Sequence, residues 1–186
     1  LIDEGKKVIA VDNFCSSKEG NVEHLEDNEN FKLIEKDILT HLNIEEEIDY
    51  VMHFASRASP KDYQENPIHT LRTNTEGTLK MLELADRHDA KFMYASTSEV
   101  YGDPEQHPQT EDYWGNVNPN GPRACYDEGK RCGEATIASY AKKNNLDYRI
   151  IRIFNTYGPR MMEDDGRVIT NFINQALEDE PITVYG

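Results

Sequence analysis

Short apolar runs alternate along the chain with longer stretches in which apolar residues recur every three or four positions. Lys7 to Val11, Phe31 to Glu35, Tyr50 to Phe54, Lys91 to Ala95 and Asp147 to Phe154 have the length and composition of buried strands. Between Pro67 and His88, the residues Ile68, Leu71, Thr75, Thr78, Leu79, Leu82 and Ala85 fall on one helical stripe. Pro67 suits a first helical position. Pro122 to Asn144 and Arg167 to Asp179 read as two further helices. Leu1 to Gly5 reads as a last helical turn closed by glycine. The acidic stretch Ile44-Glu45-Glu46-Glu47-Ile48 reads as a solvated helix face, and Ile182 to Gly186 as a strand. Strands alternating with helices predict an α/β fold built on a doubly wound parallel sheet.

Composition narrows the functional classes. A net charge of −15 over 186 residues argues against a nucleic-acid partner and against an anionic membrane surface. It still allows a phosphorylated substrate, which a local cluster of Arg and backbone N–H groups can hold. No apolar run is long enough to span a bilayer as a helix, and the opening residues do not read as a signal peptide. The three cysteines, Cys15, Cys125 and Cys132, form no C-x-x-C, and the six histidines form no H-E-x-x-H. Neither a disulfide framework nor a metal site is expected, and a reducing cytoplasmic setting fits best. No initiating Met opens the chain and no G-x-G-x-x-G occurs. The chain reads as the middle of a longer protein, without the first strand and glycine-rich turn of a dinucleotide fold.

The candidate chemistry lies at two places. Ala95 to Gly102 reads as a strand running into a polar turn that contains Thr97, Ser98 and Glu99. In the long helix that follows, Tyr126 and Lys130 stand four residues apart, on one face. A nearby ammonium favours the phenolate, so the spacing predicts a Tyr126 pKa drawn from about 10 toward neutrality. A phenol tuned this way can take a proton from a sugar hydroxyl. A Tyr/Lys pair at this spacing also arises by chance. Thr97-Ser98-Glu99 upstream and Arg152-Ile153-Phe154-Asn155 downstream, each at a predicted strand end, strengthen the reading.

Taken together, Tyr94 to Gly102, Asp112-Tyr113-Trp114, Gly121 to Arg131 and Arg152 to Arg160 resemble the extended short-chain dehydrogenase/reductase family, most of all its UDP-glucuronate decarboxylase (UDP-xylose synthase) branch. The resemblance covers nearly the whole chain. It implies NAD as cofactor and UDP-glucuronate as substrate. Residues 1–154 would be a partial NAD-binding Rossmann-like domain, and 155–186 the start of a substrate lobe.

The resemblance also implies roles. Tyr126 is the base, and Lys130 tunes it and holds the nicotinamide ribose. Thr97 bonds the developing 4-keto oxygen, and Ser98 and Glu99 orient the acid end of the sugar or relay a proton to carbon 5. Asp12, at the end of the second strand of such a fold, accepts from the adenosine ribose hydroxyls and disfavours NADP. Asn13 and Ser16 can join it. Asp37 and Ile38 flank the adenine. Phe54, Ala55 and Ser56 let the backbone approach the pyrophosphate. Thr73 and Asn74 approach the active site and cofactor, Thr156 joins the cofactor site, and Arg160 contacts either the cofactor or a neighbouring loop. Asn155 suits the substrate diphosphate or sugar, and the helix start Arg167, Val168, Ile169, Thr170 and Asn171 suits the diphosphate. His53 reads as a packed strand histidine. Arg57 stands where the relatives have Pro, and so adds a positive charge near the mouth. The helices 67–88 and 122–144 imply a homodimer through a four-helix bundle.

Three alternatives remain. A nucleotide-sugar 4,6-dehydratase carries Asp at the position of Ser98, and a serine hydroxyl is too weak an acid for its water-expulsion step. A 4-epimerase typically lacks Glu99. A non-catalytic dinucleotide-binding regulator has no need of Thr97, Tyr126 and Lys130 together.

Overall fold

The five apolar runs form five strands, all paired in parallel, in a computed structural model that describes residues 1–184. Val8–Asp12 (β1) lies beside Phe31–Glu35 (β2), with Val8 opposite Phe31 and Asp12 opposite Glu35. Tyr50–His53 (β3), Lys91–Thr97 (β4) and Tyr148–Ile153 (β5) make a second sheet in the order β3-β4-β5. β4 runs two residues past the predicted Ala95, so Thr97 closes the strand and starts the turn beyond it.

The single sheet expected from the sequence is divided, because β1 and β3 are not hydrogen-bonded to each other. Each presents an open edge. One parallel strand inserted between them would restore the order of a doubly wound dinucleotide fold, and its first strand belongs there.

Among the described residues five α-helices accompany the strands: Pro60–Glu65 (α1), Pro67–Arg72 (α2), Thr78–Arg87 (α3), Ala124–Asn144 (α4) and Val168–Leu177 (α5). The predicted helix 67–88 is interrupted, since Thr73–Gly77 widens into a π-helical turn. The cause lies in its side chains. Thr70, Thr73, Thr75 and Thr78 each donate to the carbonyl four residues back, and the Asn74 amide donates to Thr70 O. These bonds compete with the backbone ladder and loosen it.

The core lies between α3 and α4 and the second sheet, where Leu82, Ala85, Phe92, Tyr94 and Ile137 are fully buried. On the opposite face Tyr50, Met52, Ile151 and Ile153 are exposed. The described residues thus supply one helical layer on this sheet.

Other expectations shift. Ile44 to Ile48 is irregular rather than helical, because Ile44 is buried in the core and Glu46 is drawn to Lys32. Leu1 to Gly5 holds a 3-10 turn that ends on Gly5 at φ 72°. Ile182 to Val184 form no strand, and Tyr185 and Gly186 lie outside the described residues. The segment after β5 folds back over α1, where Ser59 donates to Asp165 O and Lys61 meets Asp164 at 3.4 Å.

α4 crosses β4 closely at Gly133. A Cβ there would stand 2.4 Å from Tyr94 Oη and 2.8 Å from its Cζ. Tyr94 has no room to retreat. Gly133→Ala should therefore lower stability by about 1–3 kcal/mol through overpacking. Urea denaturation checks this, and an unchanged midpoint would refute the close approach.

Candidate active site

The end of β4 and the first turns of α4 bring the candidate catalytic residues together. Lys130 is 2% exposed, donates to Ala95 O at 2.7 Å and lies 4.7 Å from the Tyr94 ring centre. Burial pushes its amine down to about 7. Tyr126 stands one turn earlier, also buried, with Lys130 Nζ 5.9 Å from its ring centre. Thr97 is buried and accepts from the Glu99 N–H at 3.3 Å.

The phenol of Tyr126 is pushed up rather than down. Burial dominates and the Asp127 charge reinforces it, while the nearby Thr97 hydroxyl and the charges of Arg167 and Arg123 offset it only in part. The predicted lowering by Lys130 is therefore absent in this structure. The ammonium points to a carbonyl and is itself easily deprotonated, so it contributes little positive charge to the phenol.

Ser98 and Glu99 open the short 3-10 turn Ser98–Tyr101 beyond β4. Glu99 is ion-paired with Arg123, the residue that precedes α4. Arg123 also lies 3.9 Å from Asp127. Tyr63, on α1, stacks on Tyr126 with ring centres 5.0 Å apart and planes 3° from parallel. Behind the site, Arg152 clasps Glu134 through two bonds of 3.0 and 2.8 Å and reaches Tyr101 Oη at 3.0 Å. Ser96 donates to the same Glu134 at 2.5 Å.

The residues expected around a dinucleotide line the carboxyl ends of β1, β2 and β3. Asp12 Oδ1 accepts from the Phe14 N–H at 2.7 Å and from Ser17 Oγ at 3.3 Å. Asn13 donates to Asp37 at 2.9 Å, and His69 reaches the same oxygen at 2.8 Å. Burial raises the Asp37 carboxyl, but the bonds from His69, the Leu39 N–H and Asn13 outweigh it and leave the pKa lowered. Ser16 and Phe54 are exposed, while Ala55 and Ser56 are half-buried. An exposed acceptor-only carboxylate at the end of β1, with small residues across the gap, fits a ribose diol and a pyrophosphate.

Other expected residues are placed elsewhere. Ile38 turns into the core beneath Gly77, so its side chain is not free to cover a base. Thr73 is buried and donates to His69 O at 2.9 Å. His53 is buried against Thr78 at 3.1 Å, and burial, reinforced by Lys130, drives its pKa to about 3, as suits a packed neutral ring.

The later segment is more open. Asn155 and Thr156 are exposed in the loop after β5, and Arg160 reaches toward Asn21 O at 3.5 Å, in the β1–β2 crossover. Arg167 forks onto Asp165, and its charge is felt at Tyr126. Val168, Ile169 and Thr170 form the first turn of α5, and Asn171 donates to Gly166 O at 3.1 Å.

A family model described as the NAD dependent epimerase/dehydratase family matches residues 1–186. The chain belongs to this family. It is 56% identical over 186 residues to UDP-glucuronic acid decarboxylase 1 of Xenopus tropicalis, an alignment that covers 100% of this chain and 44% of that protein. It is 54% identical to UDP-glucuronic acid decarboxylase 4 of Arabidopsis thaliana, over 100% of this chain and 42% of the relative. The chain thus spans less than half the length of these curated relatives. Among solved structures it resembles UDP-glucuronic acid 4-epimerase from Bacillus cereus in complex with UDP-glucuronic acid and NAD, with a TM-score of 0.81 and 30% identity over 100% of this chain and 59% of that one.

Within this epimerase/dehydratase chain, three contacts at the site went unread in the sequence. Tyr63 lies in a stretch to which the apolar pattern assigns no element, although Ser59-Pro60 carries a helix-start signal. Arg123 belongs to the Gly121 to Arg131 motif, but nothing in its spacing announces the pairing with Glu99. Arg57, whose charge had no assigned purpose, pairs with Asp62 and donates to Cys15 O at 3.1 Å, tying the loops after β1 and β3 together.

The burial of Lys130 has a measurable signature. Its pKa falls from 10.5 to about 7 on folding. Between these values the unfolded chain binds a proton that the folded chain lacks, so stability rises with pH. Lys130→Met should flatten that rise by about 2 kcal/mol between pH 7 and pH 9. Urea midpoints of both forms at the two pH values check it, and parallel shifts would refute it.

Proposed function

We propose that the complete protein converts UDP-glucuronate to UDP-xylose and carbon dioxide through transient oxidation at carbon 4, with NAD held throughout. The observation that carries this reading is the Thr97-Ser98-Glu99 turn standing against Tyr126 and Lys130 at the end of β4. The identity to decarboxylases over the whole chain supports it.

Asp12, Asn13 and Ser16 hold the adenosine ribose, Ala55 and Ser56 border the pyrophosphate, and Lys130 holds the second ribose. NAD, when bound, supplies the hydride acceptor and a positive charge that favours a nearby phenolate. Tyr126 takes the proton of the carbon 4 hydroxyl, and Thr97 donates to the oxygen as it becomes a carbonyl. The product of that step is a β-keto acid, which loses carbon dioxide with little help beyond orientation. Ser98 is neutral and adds no repulsion beside the substrate carboxylate. Glu99 hands a proton to carbon 5. Arg167 and the first turn of α5 receive the diphosphate, with Asn155 beside them.

The solved relatives keep a second reading in view. A 4-epimerase acting on the same acid sugar would share the base, the threonine and the cofactor. The protein also presents Ile68, Leu71 and Leu79 to solvent along α2 and α3, which supports pairing of two copies through these helices and α4.

Given UDP-glucuronate, the complete protein should release carbon dioxide and UDP-xylose with no net use of NAD. Mass spectrometry of the products decides among the readings. Unchanged mass with inverted carbon 4 would mean an epimerase, and water loss from a neutral nucleotide-glucose would mean a dehydratase. Tyr126→Phe should lower turnover by about 10²–10⁴; steady-state rates near those of the unmodified protein would remove Tyr126 from the role of base.

A further inference from the structure

Arg123 occupies an unusual position for a surface arginine. It directly precedes α4, three residues before Tyr126, and its side chain is 45% exposed. Its guanidinium meets two carboxylates, Glu99 in the turn after Thr97 and Asp127 one turn into α4. Both acids are better buried than the arginine, at 25% and 12% side-chain exposure. The trio carries one net negative charge.

Two polar atoms beside the trio are buried without a hydrogen-bond partner among the described residues, Asp127 Oδ1 and the Tyr63 hydroxyl. Tyr63 is 1% exposed and stacked on Tyr126, and its phenol feels Arg123 and Asp127 in opposite senses. The place where Thr97, Tyr126 and Glu99 converge therefore combines one movable cation with donors and acceptors not yet satisfied.

An acid sugar whose carbon 4 hydroxyl sits between Thr97 and Tyr126 carries its carboxyl carbon two bonds beyond carbon 4. Glu99, as an anion, repels that group. Arg123 offers planar paired donors that match a carboxylate, and it already holds one. We propose that Arg123 exchanges Glu99 for the sugar carboxylate when the acid sugar binds, and returns to Glu99 as carbon dioxide leaves. The inference rests on the reaction proposed above and assigns its selectivity for acid sugars to Arg123.

The exchange accounts for the proton that the reaction consumes. Glu99, released from Arg123 beside a second anion, takes a proton from solvent. When the bond from carbon 5 to the carboxyl carbon breaks, its electron pair passes into the carbon 4 carbonyl as an enolate, and neutral carbon dioxide departs. The Glu99 proton then closes carbon 5. Glu99 is again an anion and recovers Arg123, whose carboxylate partner has gone. Asp127, Tyr126, Tyr63 and Arg167 are the other titratable groups facing this place.

Binding is measured by calorimetry on the complete NAD-loaded protein carrying Tyr126→Phe, so that no turnover intrudes. Adding Arg123→Gln should weaken UDP-glucuronate by about 10- to 100-fold, the range for a charged hydrogen bond. UDP-xylose, which lacks the carboxylate, should stay within about threefold. Arg123→Lys should recover part of the loss. Glu99→Gln, which removes the competitor for Arg123, should bind UDP-glucuronate more tightly. Equal weakening of both nucleotides, or weaker binding of UDP-glucuronate in Glu99→Gln, would overturn the exchange. Failure of the reaction itself reads out separately, as no carbon dioxide from the unmodified protein.

Discussion

Lys130 crosses from α4 to the carbonyl of Ala95 with almost none of its surface in water, and the geometry of the site follows from that contact. A buried ammonium is costly and is tolerated only where acceptors and an aromatic face surround it. Here the acceptor is a strand carbonyl and the face is Tyr94. To bring Nζ to both, α4 must lie close on β4, and the absence of a side chain at Gly133 permits it. The register this sets puts Tyr126 one turn up the helix and Thr97 two residues along the strand. Glu134, one turn beyond Lys130, then meets Ser96 and Arg152 and ties β4, β5 and α4 behind the site. The burial that fixes the geometry also raises the Tyr126 phenol, so the same packing that positions Tyr126 works against its ionisation.

This division bears on what could be read from the sequence. The strands were legible because buried parallel strands are short apolar runs, and the i, i+4 pairing of Tyr126 and Lys130 survives in space. The sign of the Tyr126 shift was not legible, because it depends on depth of burial and on where the ammonium points. The π turn at Thr73–Gly77 arises from several threonines acting on the backbone together, which a pattern of apolar positions does not register. Ile38 was assigned to the adenine, but its side chain fills the space over Gly77. Asp12, Asn13 and Asp37 do share one mouth, with Asn13 bonded to Asp37.

The divided sheet gives that mouth a particular mechanics. No backbone ladder joins β1 to β3. The β1–β2 pair is attached instead through side chains. His69 holds Asp37, Lys80 donates to Leu39 O, and Arg57 donates to Cys15 O, while Ile38 packs into the core. Polar ties of this exposure contribute about 0–1 kcal/mol each, far less than a shared strand. Asp12, Asn13, Ser16 and Asp37 thus hang on contacts that a strand between β1 and β3 would reinforce. Arg57 acquires a purpose in this setting, since its pairing with Asp62 orients it toward the β1 loop.

The same economy of charge governs the substrate side. The chain is strongly acidic, and the arginines around the site are already engaged. Arg123 meets Glu99 and Asp127, Arg167 forks onto Asp165, Arg152 onto Glu134 and Arg57 onto Asp62. An anionic ligand that draws on these four arginines must therefore displace an internal carboxylate, whereas the backbone N–H groups at the start of α5 are available without displacement. Displacement lowers affinity, because each new ion pair replaces an old one, but it raises discrimination, because a ligand without the anion has nothing to exchange. For a nucleotide sugar the two routes divide the work. The diphosphate, present on every candidate substrate, suits the helix start and Arg167. The carboxylate, present only on the acid sugar, suits the guanidinium that Glu99 now holds.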